Sequence, residues 1–270
     1  MTSLFRVRVA LGIALTLSLS IAYGQDHASM KNTLERDSQA AVALQHALSE
    51  LGGVGTWSDI QSAREQVSCT SQSGANVTEI WTVAGKEFRY ETTDGDGNTS
   101  VLVSGHGQPQ HSSNDKKASL PGNYYRLLQP YQIPGLVLSR DLQDASIELR
   151  FIGITKPDSN DQLLQVDTMQ TLRGLPLPAT KAQWYFDPAT MEPLAVTFSL
   201  PGIADSNYFS SVTYLYSTFQ QKNSVEVPSL IGIRYGGSES LQQCTVKSVQ
   251  LNASPASDSF TLNSENGEDQ

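Results

Sequence analysis

Two histidines and an aspartate are the residues whose types and spacing come closest to a metal site in this sequence. His106 and His111 lie near each other, and Asp115 follows shortly after. Imidazole and carboxylate groups are common zinc ligands, but the usual sites have short Cys or His spacings or two ligands one helical turn apart. Here all three residues lie in a stretch rich in Gly, Ser and Gln. We therefore interpret it as a solvated loop and expect no metal.

The stretch Asp94 to Ser100, with the sequence DGDGNTS, is similar to the start of a calcium-binding loop. Such a loop needs Gly at its sixth position and a Glu at its twelfth. These positions hold Thr99 and Gly105. Asp, Gly and Asn also favour tight turns that need no ion. The sequence therefore predicts the tip of a β-hairpin.

Catalytic motifs are missing from the sequence. It contains no G-x-S-x-G nucleophile elbow and no glycine-rich phosphate-binding loop. Composition alone leaves a Ser/His/Asp triad open, but no spacing points to one. We expect a protein that is not an enzyme and uses no cofactor.

The two cysteines, Cys69 and Cys244, both lie in strand-like sequence. In an oxidising compartment they could form a disulfide that joins the first strand to the last. The alternative is two buried free thiols that behave as small apolar side chains. The sequence leaves both open, because it does not show whether the side chains face each other.

The first 24 residues have the three parts of a secretory signal peptide. Arg6 and Arg8 form a basic start, Val9 to Leu19 is an apolar run, and Ala22-Tyr23-Gly24 places small residues where signal peptidase cleaves. The run is too short for a transmembrane helix, and no later stretch suits one. Because no Cys follows the run, we expect no lipoprotein anchor. The sequence predicts export of a soluble protein to the periplasm, or its secretion.

The composition limits the possible partners. The 270 residues include 27 acidic and 18 basic side chains and carry a net charge of −9, which becomes −11 once Arg6 and Arg8 leave with the signal peptide. A chain this acidic lacks the basic surface that phosphate backbones require, so nucleic-acid binding is excluded. We expect a flexible segment over 25–36, one domain over 37–262, and a disordered acidic tail over 263–270. A monomer is favoured.

Sequence periodicity predicts one N-terminal helix followed by many strands. The helix begins at Asp37 or Ser38 and ends near Leu51, before Gly52-Gly53. Its predicted apolar face consists of Val42, Leu44, Ala47, Leu48 and Leu51. The predicted strands are 62–73, 77–84, 87–93, 99–104, 108–112, 147–154, 162–172, 181–187, 193–200, 210–219, 228–235 and 241–251.

The region 119–145 interrupts the strands with apolar and aromatic residues around Pro130 and Pro134, and it predicts two short helices. Consecutive antiparallel strands in this number must curl or split to cover one face. We therefore expect an α+β fold. It is a strongly curved, half-open antiparallel β-barrel of about eleven or twelve strands, wrapped over the N-terminal helix and a central helical lid.

Several short sequence segments, in this order along the chain, resemble those of one protein family. They are Glu79–Tyr90 (EIWTVAGKEFRY), Val101–Gly105 (VLVSG), Gln183–Leu194 (QWYFDPATMEPL), and Phe219–Pro228 followed by Leu251-Asn252 and Phe260. Over residues 37–262 this pattern is similar to the LolA-like superfamily of bacterial periplasmic proteins. That superfamily includes the outer-membrane lipoprotein-sorting chaperone, its receptor and related lipid-binding proteins.

The resemblance implies an apolar cavity for acyl chains or other lipids beneath a helical lid. The residues expected to line the cavity and lid are Trp81, Phe88, Leu128, Leu136, Leu138, Trp184, Phe186, Phe198 and Tyr214. The alternative for each is an ordinary place in the core. One position departs from the family: where the lipoprotein chaperone has a basic residue that holds the lid, this sequence has Ala84.

Two functions follow as hypotheses. The first is a soluble periplasmic carrier for a lipid, an acyl chain or a lipoprotein. The second is an envelope module of the same fold with a filled interior, which recognises another envelope protein or senses stress. The two hypotheses differ in whether the concave face is lined by apolar groups that have no packing partner.

Overall fold

The computed structural model describes residues 36–70, 74–105, 108–113, 116–120, 128–157, 161–172, 175–201, 209–236, 240–256 and 258–262. The predicted signal peptide, residues 25–35 and the predicted tail 263–270 lie outside these ranges. So do His106 and Asp115 of the histidine-containing loop.

The N-terminal helix, α1 (Ser38–Glu50), forms where the sequence predicts it. Asp37 caps it, because its carboxylate accepts a hydrogen bond from the Gln39 backbone N–H at 2.8 Å. Gly52 and Gly53 follow with φ of 109° and 108°, which few other residues adopt. One predicted face residue is wrong: Val42 is 50% exposed. At 3.6 residues per turn it lies opposite the buried row, which is Ala40, Ala43, Leu44, Ala47 and Leu48.

Two further helices follow, α2 (Val54–Ser58) and α3 (Pro134–Gln143). The sequence did not predict α2, whose Trp57 is buried and donates its indole N–H to the Leu51 carbonyl at 2.9 Å. Of the two helices predicted over 119–145, α3 is observed. Residues 128–133 are not helical, and 121–127 lie outside the described ranges.

All the strands in the described residues belong to one antiparallel arrangement. The twelve predicted strands are present, and two short ones, β6 and β9, were not predicted. The strands are β1 (Ser62–Thr70), β2 (Asn76–Ala84), β3 (Glu87–Asp94), β4 (Thr99–Ser104), β5 (Gln110–Ser113), β6 (Lys116–Ser119), β7 (Ile147–Thr155), β8 (Leu163–Leu172), β9 (Leu175–Pro176), β10 (Ala182–Phe186), β11 (Pro193–Pro201), β12 (Phe209–Lys222), β13 (Val225–Tyr235) and β14 (Leu241–Leu251).

The sheet is open and strongly curved, which confirms the predicted half-barrel. Its strand order is β6-β5-β4-β3-β2-β1-β14-β13-β12-β11-β10-β8-β7, with β9 paired to β8, and the edge strands β6 and β7 do not pair. In a flat sheet β2 and β7 would lie roughly 40 Å apart, since neighbouring strands are about 4.8 Å apart. Here Val83 of β2 and Ile147 of β7 line the same pocket. The sheet therefore curls around the helices.

A disulfide between Cys69 and Cys244 links β1 to β14. These two residues are direct partners in the ladder that joins the first long strand to the last. Both side chains are fully buried. The bond ties together strands that are 175 residues apart in the sequence.

Arg36 fixes the C-terminal end of α3. Its guanidinium group donates to the carbonyls of Leu142 at 2.7 Å, Asp144 at 2.6 Å and Ile147 at 2.9 Å. The last carbonyls of a helix have no partner within the helix and carry partial negative charge, so a cation is stabilising there. The adjacent backbone of Asp37 also donates to Leu149 of β7. This segment therefore anchors α3 and β7 together.

Candidate functional site

A groove lies beside α3, and we call it the α3 groove. Its volume is about 700 Å³, and it lies between α2, α3, the β2–β3 turn and the ends of β7 and β8. The apolar part of its lining comes from Trp57, Ile60, Val83, Phe88, Leu128, Leu136 and Ile147. These residues come from elements far apart in the sequence, and the curl of the sheet brings them together.

Charged residues also line the α3 groove. Lys86, Arg140, Asp141 and Asp144 all contribute to its lining. Asp141 accepts a hydrogen bond from the Thr168 hydroxyl at 2.7 Å, while burial raises the pKa of its carboxyl group to about 7. The groove thus combines apolar and ionisable groups in its lining.

Arg140 connects α3 to the β2–β3 turn. Its guanidinium group donates to the Gly85 carbonyl at 2.6 Å. A basic side chain from α3 therefore reaches this turn.

Three of the nine residues predicted for the cavity and lid line the α3 groove: Phe88, Leu128 and Leu136. The other six are part of the interior between the sheet and the helices. Leu138, Trp184 and Phe186 are fully buried, Trp81 and Phe198 are almost so, and Tyr214 is half-buried. As ligand-binding residues, all nine remain a prediction.

The segment 128–133 packs against the concave face. The ring of Tyr131 stacks on Phe198 with centroids 4.2 Å apart and lies 5.9 Å from the ring of Trp184. Its backbone carbonyl accepts a hydrogen bond from the Tyr216 hydroxyl. Aromatic side chains of the sheet therefore pack against this segment.

Two buried carboxyl groups, which the sequence analysis did not single out, lie on the same concave face. Glu65 is fully buried, and neither of its carboxyl oxygens has a hydrogen-bond partner among the described residues. Burial, and secondly the charge of Glu79, raises the pKa of Glu65 to about 8. The sequence did contain a signal for this burial. Glu65 lies two residues from both Ala63 and Val67, so on a strand it shares their inward face.

Of the two carboxyl groups, Glu79 is the one that accepts hydrogen bonds from described residues. It accepts a hydrogen bond from the Gln132 side-chain amide at 2.8 Å and a second from the Tyr90 hydroxyl. Burial nevertheless raises the pKa of its carboxyl group. Gln132 belongs to the segment 128–133, so this hydrogen bond links the segment to β2.

The turn Asp94 to Asn98 is a hairpin tip, as predicted. The Asp94 carboxylate accepts hydrogen bonds from the backbone N–H groups of Asp96 and Asn98 and from the Asn98 side chain, each at 2.9 Å. These bonds lower the pKa of Asp94. His111 lies in β5, where its ring Nε2 is 2.8 Å from the Ser100 hydroxyl.

None of the helices in the described residues is long and apolar enough to cross a membrane. No family model matches the chain, and no curated protein sequence matches it.

Solved structures do match the chain, at low sequence identity. One is an outer membrane lipoprotein-sorting protein domain from Vibrio parahaemolyticus, with 11% identity, TM-score 0.47, and coverage of 82% of this chain and 96% of that chain. A DUF1329 family protein from Desulfovibrio piger has 8% identity and TM-score 0.48 over 82% of this chain and 97% of that one. A LolA superfamily protein from Nitrosomonas europaea has 13% identity and TM-score 0.42 over 83% and 97%. The solved structures similar to this chain thus include a member of the superfamily that its sequence motifs resemble.

Proposed function

We propose that this protein binds the apolar part of a lipid, an acyl chain or a lipoprotein in the α3 groove and carries it without chemical change. The signal peptide predicted over residues 1–24 supports the periplasm as the place where this happens. The observation that carries the proposal is the groove itself, an open space of about 700 Å³ with a partly apolar lining.

The groove suits an amphiphilic ligand. Its volume lies within the range of roughly 300 to 1,000 Å³ that is common for small-molecule sites. Burial of apolar ligand surface against Phe88, Leu128 and Leu136 would contribute about 25 cal/mol per Å². Lys86 and Arg140 in the lining provide charges for a polar head group.

Ligand uptake tests the proposal directly. The purified protein is extracted for mass spectrometry of bound lipid and titrated with a fluorescent fatty acid. We expect saturable binding by the wild-type protein. The substitution Leu128→Asp should weaken it at least tenfold, because it places a charge in the apolar part of the lining.

The matched control is Leu175→Asp, which adds the same charge at a side chain that is 59% exposed and outside the groove. It should leave binding unchanged. Melting curves must show that both variants fold. Absence of saturable binding in the wild-type protein, or equal loss in both variants, would contradict the proposal.

A second function, recognition of another envelope protein, is favoured by the packed concave face. Leu138, Trp184 and Phe186 are fully buried, and Tyr131 stacks on Phe198. If the interior needs no ligand, the outer surface would carry the function. Capture of one stoichiometric protein partner by a lipid-free preparation would favour this second function over the first.

A further inference from the structure

A second pocket lies on the concave face and shares no described lining residue with the α3 groove. Its volume is about 430 Å³, and it lies where β2, β3 and β4 meet the end of β13. We call it the Glu79 pocket. Its distinctive lining residues are Glu79, Asp94, Tyr90 and Tyr235.

The described lining residues of the Glu79 pocket include two acidic side chains and no basic one. Glu79 and Asp94 are acidic, and the remaining lining side chains are neutral. His111 lies close by on β5, but burial lowers the pKa of its imidazole, which favours the neutral ring. The pocket therefore attracts cations and repels anions.

Glu79 is held in place at the inner wall of this pocket. It is only 5% exposed, and Gln132 and Tyr90 hold its carboxyl group by hydrogen bonds. No described residue provides it with a positively charged partner, although burial disfavours the ionised form. A cation bound in the pocket would supply that missing partner.

Asp94 contributes a second, permanent charge at the pocket. Its carboxylate is fixed by the three hydrogen bonds of the β3–β4 turn, which also keep it ionised. The two acidic groups thus lie on the same pocket lining at different depths, one buried and one exposed.

The two tyrosines add aromatic surface next to the acidic groups. Tyr90 packs against Trp81 with ring centroids 4.4 Å apart and ring planes tilted by 31°, and Tyr235 is 42% exposed. Aromatic faces attract organic cations, and quaternary ammonium ions are bound in proteins by such rings. Carboxylates and aromatic rings on one pocket favour an organic ammonium ion over a metal ion, which would need more oxygen ligands.

We propose that the Glu79 pocket binds an organic ammonium ion, either a free amine or the ammonium head group of a lipid. Glu79 neutralises the charge, Asp94 attracts it electrostatically, and Tyr90 and Tyr235 contact the substituents on the nitrogen. The site is separate from the α3 groove, so its test does not depend on the proposed function.

Calorimetric titration with choline tests this proposal, with 3,3-dimethyl-1-butanol as the neutral molecule of the same shape. We expect choline to bind saturably and the neutral molecule to bind at least tenfold more weakly. Glu79→Gln keeps the shape of the side chain and should weaken choline binding at least tenfold. Tyr235→Leu removes one aromatic face and should weaken it about threefold.

Glu50→Gln is the matched control, since Glu50 is an exposed acid on α1 outside the pocket, and it should leave choline binding unchanged. Vesicles of phosphatidylcholine, compared with vesicles of phosphatidic acid, distinguish the two sources. Selective retention of the protein by phosphatidylcholine indicates a lipid head group, and choline binding without retention indicates a free amine. Equal affinity for choline and its neutral analogue, or unchanged affinity in both folded pocket variants, would overturn the proposal.

Discussion

Replacement of Glu65 by Gln should change how the stability of this protein depends on pH. Glu65 is fully buried on β1, and its carboxyl oxygens have no hydrogen-bond partner among the described residues. Burial raises its pKa from 4.5 to about 8. Between these two pH values the folded protein keeps a proton on Glu65 that the unfolded chain has lost.

The sign and size of the effect follow from this difference in bound protons. Because the folded state binds more protons, the free energy of unfolding falls as pH rises, by up to about 1.4 kcal/mol per pH unit. The stabilisation is fully present below the unfolded pKa of 4.5 and is lost as pH rises through about 8. Across the whole interval the loss is about 5 kcal/mol. Gln cannot ionise, so the variant lacks this dependence.

Urea unfolding of both proteins at several pH values provides the assay. The variant should gain about 3 to 4 kcal/mol relative to the wild type between about pH 5 and pH 8. Glu79 is present in both proteins, so the comparison measures the contribution of Glu65 together with its coupling to Glu79. A difference between the two proteins that is the same at both ends of this range would refute the reasoning.

Further predictions concern three features that stabilise the fold: the disulfide, the Arg36 side chain and Gly52. Replacing Cys69 and Cys244 by Ser should lower the free energy of unfolding by about 3 to 5 kcal/mol in urea, because the disulfide closes a loop of 175 residues; equal stability of the variant would contradict this. Since both cysteines are fully buried, dithiothreitol without denaturant should leave the bond intact, as free-thiol labelling can check. Arg36→Ala removes the cation from the C-terminal carbonyls of α3 and should destabilise the protein by about 1 to 2 kcal/mol. Faster amide exchange confined to the end of α3 would locate this effect, and unchanged exchange there would exclude it. Gly52→Ala should cost more than about 1 kcal/mol in a thermal melt, because its φ is 109° and the new Cβ would lie 2.3 Å from the Ser224 carbonyl oxygen; a Gly53→Ala control meets no backbone atom within 4 Å and should cost less.

Local sequence patterns determined most of the secondary structure. The alternation of apolar and polar residues located twelve strands, and Asp37 and Gly52 marked the two ends of α1. The Asp and Asn side chains at residues 94–98 predicted a hairpin tip, because their hydrogen bonds are formed within the turn itself. Each of these features depends on neighbours a few residues away, so the sequence alone was enough.

Sequence patterns did not predict two short strands, and they assigned one residue to the wrong face of α1. Strand β6 is exposed at all four residues, and β9 has only two residues, so neither shows an alternation of buried and exposed positions. Val42 was assigned to the buried face of α1 because it is apolar, although alanines occupy that face. Small residues there allow close packing, and hydrophobicity alone does not reveal this.

Only the tertiary structure determines which residues of the concave face line a groove and which lie in the packed core. The sequence identified apolar residues on the inner face, but only the curl of the sheet brings Phe88 and Leu136 to an open groove while Trp184 lies in the packed core. It also brings Cys69 opposite Cys244 and buries Glu65 and Glu79 side by side. The physical reason is that these contacts join residues far apart in the chain, and their geometry depends on how every intervening strand bends.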